Sequence, residues 1–427
     1  MYNLSVNGRF LYNDDKPFFL LGDTAWLILY KLDLKETERY LRNRKSLGFN
    51  YVQIVLVYSA GNMHDINEMD HQRINPNDNT LWDKAIDFME LALKYDIIVG
   101  LLPCWGAVVK EGFVNEGNAL EYATFLAKKF KKYQNLIWVL GGDVRGDVSF
   151  ETFNILGSTL KKLTNNLITF HPFGRTGSYL WFNDCPWSDF NMFQSGHRRY
   201  DQLNLNLWDD TSLNEDTFGE DSYKYVIKNN SYLIKKPVID AEPSYEGVVQ
   251  GLHDPKEPYW EARHIRRYAY WSVFEGAFGF VYGNNAIIQF YNYESKGSYG
   301  VRESWYEGLT SPGGAEMQYL LELMNEYDYT KGISNPAIIK NNKSFHHRTA
   351  VLQSNEYILI YTYLGDKLIV DLSDYKDKRL DIYVMNPENN AKAYYDTIEG
   401  VNEYTFRPTR RREISNDWVI IFKVVQI

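Results

Sequence analysis

Short runs of consecutive apolar residues alternate along this chain with longer stretches in which apolar residues recur every three to four positions. Phe18-Phe19-Leu20-Leu21, Tyr51 to Val57, Ile97 to Leu102, Leu136 to Leu140, Leu167 to Phe170, Phe190 to Gln194, Val238 to Ala241 and Gly279 to Tyr282 each fit a strand covered on both faces. Helix-length segments lie between them. Asp33 with Glu36 opens a helix that stops at Gly48, and Trp82 to Tyr95 carries Ile86, Met89 and Leu93 on one face. Asn118 with Glu121 caps a helix whose inner side bears Leu120, Ala123, Ala127 and Phe130, and Gly314 to Tyr327 turns Met317, Leu320, Leu321 and Met324 inward. Parallel strands need crossovers, so eight such strands in one run predict an α/β fold, a (β/α)8 TIM barrel, over residues 1–330. A β-hairpin over residues 4–19, with turns at Asn7-Gly8 and Asn13-Asp14-Asp15, leads into it.

Past Lys331 the pattern changes to period two. Val351-Leu352, Tyr357 to Tyr361, Leu368 to Val370, Leu380 to Val384, Ala393 to Tyr395 and Trp418 to Phe422 are close-set strands with polar turns between them. They predict a C-terminal antiparallel β-sandwich over residues 331–427 that packs on the barrel as a structural module.

Composition narrows the partners. A net charge of −9 argues against nucleic acid, which is held by clustered Lys and Arg; Arg410-Arg411-Arg412 reads as a solvated edge or turn. No apolar run reaches the roughly 18 residues of a membrane span, and Met1-Tyr2-Asn3 runs straight into strand-like sequence with no signal-peptide pattern. The expectation is a cytoplasmic protein, or a secreted one if a leader precedes it. Cys104 and Cys185 have no metal-ligand spacing and fit free thiols. His-Glu-x-x-His, Gly-x-Ser-x-Gly, the phosphate loop and Gly-x-Gly-x-x-Gly are all absent, so neither a cofactor nor a metal is expected.

A (β/α)8 barrel builds its site at the C-terminal strand ends. Asp23 and Trp26 follow the first strand, Tyr58 the second, Trp105 the third, and Asp143 and Arg145 the fourth. His171 and Arg175 follow the fifth, Gln194 and His197 the sixth, Glu242 and Tyr245 the seventh, Asn284 and Asn285 the eighth. Two carboxylates at the ends of separate strands, with histidines and aromatics around them, suit glycoside hydrolysis, where one acid protonates the leaving oxygen and one carboxylate attacks the anomeric carbon. The expected partner is an oligosaccharide or polysaccharide.

Gly22-Asp23-Thr24-Ala25-Trp26, Trp138 to Asp143 and Asp240-Ala241-Glu242-Pro243-Ser244-Tyr245-Glu246 resemble the apiosidase-like domain of glycoside hydrolase family 140. The tail from Lys331 is similar to the small sandwich that follows that domain and is labelled collagen-binding. The resemblance implies Asp143 as acid/base and Glu242 as nucleophile of a retaining enzyme, with a pectin-type plant cell-wall oligosaccharide as substrate and apiose release among the expected activities. It departs from the wider clan of such barrels, whose acid/base is Glu after Asn, because here it is Asp after Gly. Asp is one methylene shorter, and Gly141-Gly142 would let the backbone come closer.

Plainer roles stand beside these. An Asp at a strand end also serves as a helix cap. Glu246 reads as a solvated loop acid or a fallback nucleophile, and Asp240 as a buried structural acid sharing an inward face with Glu242. His171 and His197 fit either sugar contact or structure, and Trp26 and Trp105 either sugar platform or rim packing. A catalytically silent carbohydrate-binding protein on the same scaffold remains the alternative to an enzyme.

Overall fold

The computed structural model describes residues 2–58, 79–202, 218–409 and 415–425; Arg410-Arg411-Arg412 lies outside them. Eight parallel strands carry the barrel: β1 (Leu20–Thr24), β2 (Tyr51–Val55), β3 (Ile98–Leu102), β4 (Leu136–Val144), β5 (Leu167–Pro172), β6 (Asn191–Phe193), β7 (Val238–Asp240) and β8 (Gly279–Tyr282). Their order around the sheet is β5-β4-β3-β2-β1-β8-β7-β6, and the two ends meet where the Asp189 amide donates to the Ile168 carbonyl at 2.8 Å. All but one residue of these strands is buried, as continuous apolar runs require when helices cover the outside and side chains fill the inside. That residue is Asp143.

The N-terminal hairpin is a three-stranded antiparallel meander, Leu4–Asn7, Phe10–Asn13 and Lys16–Pro17. Phe10 and Phe19 each meet Tyr329 edge to face at 5.3 Å, which ties the meander to the start of the C-terminal unit. The Asp33–Glu36 capping box forms as expected. Asn118 occupies its N-cap position without a side-chain cap bond, because its oxygen accepts instead from the Asn115 amide at 2.8 Å. Two helix faces differ from expectation. Leu93 and Leu120 point outward, and the buried stripes run through Trp82, Ala85, Met89 and Ala92, and through Ala119, Ala123, Leu126 and Phe130. Alanines let these helices approach the strands closely, so the larger leucines take the outer face.

The C-terminal unit has a six-stranded antiparallel sheet and a two-stranded one. Its strands are β9 (Ile333–Ser334), β10 (Thr349–Gln353), β11 (Tyr357–Thr362), β12 (Leu368–Asp371), β13 (Arg379–Met385), β14 (Lys392–Glu399), β15 (Glu403–Phe406) and β16 (Trp418–Val425). The larger sheet runs β9-β10-β11-β16-β13-β14, and β12 pairs with β15. Strand alternation gives the larger sheet two apolar faces. Ile358, Ile360, Ile420 and Phe422 face the unit's own core, while Leu359, Tyr361, Val419 and Ile421 belong to the same apolar cluster as the barrel. Tyr361 stacks on Tyr270 of the barrel helix Ala262–Phe274, with ring centroids 4.6 Å apart.

Candidate active site

The C-terminal end of β4 is irregular. Gly141, Gly142 and Asp143 all have positive φ (87°, 102° and 47°), and the register against β5 shifts between Gly141 and Val144. A Cβ on Gly142 would stand 2.7 Å from the Trp105 ring, so only glycine allows this approach. The bulge turns Asp143, a residue type that tolerates the left-handed region better than Glu does, toward the barrel axis. Opposite it, Glu242 follows β7 and is held by its neighbours. The Gly196 amide donates to its carbonyl at 3.1 Å, and Gln53, inside the barrel, donates to the Ala241 carbonyl at 2.9 Å. A Cβ on Gly196 would meet the Pro243 backbone at 2.6 Å, so this glycine is what lets the β6 loop dock there.

Asp143, His171 and Glu242 each place one side-chain oxygen or nitrogen within 4.8 Å of the other two. His197 Nε2 hydrogen-bonds Glu242 Oε1 at 3.0 Å. His171 Nε2 meets Oε2 at 3.3 Å, near enough to pair electrostatically but off the direction a hydrogen bond requires. The two carboxyls have opposite surroundings. Asp143 is exposed as a residue, but its carboxyl is crowded in the cleft; that desolvation, then the negative charge of Glu242, raises its pKa to about 7, with His171 and a hydrogen bond from Gln194 pulling the other way. Burial alone would raise Glu242 too, but the imidazoles of His171 and His197 outweigh it and hold its carboxyl well below the usual range. One group can therefore donate a proton while the other stays ionised.

A small cavity of about 80 Å³ lies over the pair. Trp26 and Trp105, 5.1 Å apart and edge to face, line it with Tyr58, whose ring lies 5.3 Å from Trp105. A larger cavity of about 660 Å³ opens between barrel and sandwich around Trp260, Arg266 and Glu303, away from both carboxylates. The smaller one holds the groups that can do chemistry.

The sequence matches the apiosidase-like catalytic domain family over residues 5–331, which is most of the chain. The chain belongs to that family. Residues 334–423 match a second family, described as "Putative collagen-binding domain of a collagenase". A solved structure titled glycoside hydrolase is 34% identical, with a TM-score of 0.90, covering 98% of this chain and 96% of its own. A glycoside hydrolase family 5 structure from Bacteroides vulgatus is also 34% identical, with a TM-score of 0.90, covering 98% of this chain and 93% of its own. No curated protein matches. With two facing carboxylates and relatives of this kind, the apiosidase-like chain is a glycoside hydrolase with a carbohydrate substrate.

Within the apiosidase-like site the structure brings together Asp143, Glu242, Trp26, Tyr58, Trp105, Gln194, His197 and Tyr245. Asp23 is not among them. β1 begins two residues later than the sequence suggests, so Asp23 lies inside the strand, where its Oδ2 takes Arg44 Nε at 2.5 Å and the Tyr40 hydroxyl at 2.6 Å. Fully buried and outside the cavity lining, this carboxylate is out of reach of a sugar. His171, also expected as a sugar contact, is buried at 0% exposure behind Glu242 and touches the carboxylate rather than the cavity. Glu246 is neither solvated nor in the cleft: it accepts from the Tyr282 hydroxyl at 2.5 Å and the Gly313 amide at 3.2 Å, and burial raises its pKa. Asp240 accepts from Ser195 at 2.5 Å, and burial raises it to about 8.

Four further residues reach the cavity without a strand-end signal. Tyr299, Val248, Leu252 and Ile288 come from the segments after β7 and β8. Asn285 fixes Tyr299 by donating to its carbonyl at 2.9 Å, while Asn284 caps the short helix Asn285–Ile288. Burial, then the charges of Asp143 and Glu242, pushes the Tyr299 phenol up to about 12. Its place in a Gly297-Ser298-Tyr299-Gly300 turn gives no periodic clue.

Proposed function

We propose that the chain is a retaining glycosidase that cleaves pectin-type plant cell-wall oligosaccharides and releases apiose. The observation that carries this reading is the facing pair itself. One carboxyl oxygen of Asp143 lies within 4.8 Å of one of Glu242, a closeness that supports direct attack on the sugar, as in retaining enzymes, whose two carboxyl groups stand about 5 to 5.5 Å apart. The Glu242 carboxylate attacks the anomeric carbon while the glycosidic C–O bond breaks and Asp143 gives its proton to the leaving oxygen. Asp143, now ionised, takes a proton from water, and the hydroxide formed displaces Glu242 from the sugar. His197 orients Glu242 through Oε1, and the aromatic rings of Trp26, Tyr58 and Trp105 offer faces for the sugar's C–H surfaces. The apiose and pectin assignment rests on membership of the apiosidase-like family.

The test is incubation with apiose-bearing pectic oligosaccharides and a panel of nitrophenyl glycosides, with proton NMR of the first-formed anomer. Free apiose of retained configuration is the expected product. An inverted first product overturns the covalent mechanism. Saturable sugar binding with no hydrolysis of any substrate would instead make the chain a silent carbohydrate-binding protein.

A further inference from the structure

His171 is fully buried, and neither ring nitrogen has a hydrogen-bond partner. Glu242 Oε2, facing it, also lacks one. Such orphaned atoms are costly in an interior unless something else meets them. Their geometry indicates what that is. Ligands about 2.1 Å from a tetrahedral zinc ion stand about 3.4 Å from one another, and His171 Nε2 lies 3.3 Å from Glu242 Oε2. Asp143 supplies a third donor within 4.8 Å of both. His197 already orients Glu242 through Oε1, the outer-shell contact that metal-bound carboxylates use.

We infer that His171, Glu242 and Asp143 form a binding site for a borderline-soft divalent cation such as Zn²⁺, and that the cation shuts the enzyme off by occupying the nucleophile and acid together. One imidazole with two carboxylate oxygens, and a fourth position open to the cavity, is a donor set zinc accepts and magnesium, which demands octahedral oxygen coordination, does not. The second nitrogen of His171 has no acceptor to donate to, so the site lacks the partner that strengthens dedicated zinc centres. It therefore fits reversible inhibition rather than permanent occupancy. The inhibitory part rests on the glycosidase reading; the binding part does not.

Zinc chloride titrated into the full chain without substrate, followed by calorimetry, should show one saturable site per chain, with no comparable heat from magnesium chloride. Asp143→Asn and His171→Gln, each checked for an unchanged melting temperature, should each weaken zinc by about tenfold or more. Zinc should raise the apparent KM without lowering kcat, and EDTA should reverse it. The site is overturned by the absence of saturable binding, by affinity unchanged in both variants, or by activity that requires zinc. Saturable zinc binding by a chain that hydrolyses no glycoside would sink the glycosidase reading alone, since the calorimetric result is read without turnover.

Discussion

A carboxylic acid that must give up a proton near neutrality and a carboxylate that must stay ionised beside it need opposite surroundings, and Asp143 and Glu242 have them. Glu242→Gln keeps the shape but removes the proposed nucleophile, so kcat should fall by about a thousandfold or more on every substrate. Asp143→Asn should cost about 10² to 10⁴ on sugar leaving groups and far less on a nitrophenolate, which needs little protonation. Equal losses on both would contradict the proton-donor role. The pH profile follows from the same pair. Asp143 works protonated, so kcat/KM should fall as pH rises through about 7, where it ionises. Glu242 works ionised and its pKa is lowered, so the acid limb should lie below the usual carboxylate range. Asp143→Asn should abolish the alkaline limb, and a limb that persists would assign it to another group. Strand-end position made this pair legible in the sequence. The same rule misplaced Asp23, because an apolar run does not reveal at which residue a strand stops, and a stop three residues later, at Thr24 rather than Leu21, carried that acid from the rim into an ion pair with Arg44.

The bulge at the end of β4 is the element that makes an Asp long enough. Gly142→Ala would place a methyl 2.7 Å from the Trp105 ring at a φ of 102°, a cost of about 1 to 3 kcal/mol. Urea unfolding should show that loss, and kcat should drop with it because Trp105 and Asp143 must both move. Unchanged stability and turnover would mean the bulge is not what sets the acid. The two adjacent glycines announced this approach in the sequence. Other elements were harder to read for the same reason that they pack well. In the helices Asn79–Lys94 and Ala119–Phe130 alanines make up much of the buried stripe, so a reading weighted toward large apolar side chains chose the wrong face for Leu93 and Leu120. β9 and β15 are two and four residues long and offer too little alternation to register. Tyr299 reaches the cavity through a hydrogen bond to Asn285, a tertiary contact that no local pattern encodes.

At the scale of the molecule, barrel and sandwich share one apolar cluster, and a buried charge network crosses the joint. Arg266 on the barrel helix Ala262–Phe274 is 1% exposed and binds Asp417, just before β16, through Nε at 2.7 Å and Nη2 at 2.9 Å, with Glu316, Glu388 and Ser415 also in its shell. A guanidinium taken out of water is tolerable only while its partners stay. Asp417→Asn leaves Arg266 with one fewer charge against it and should cost about 3 kcal/mol in urea unfolding, without altering the Asp143 limb of the pH profile. Deleting residues 331–427 removes the same partner and also uncovers Tyr270, which stacks on Tyr361. The truncated barrel should therefore aggregate or melt well below the whole chain before its chemistry changes. A truncation that is soluble, melts like the parent and hydrolyses small glycosides equally well, yet no longer binds a polysaccharide the whole chain holds, would overturn this reading. The sandwich would then be a carbohydrate-binding module rather than part of the barrel's core.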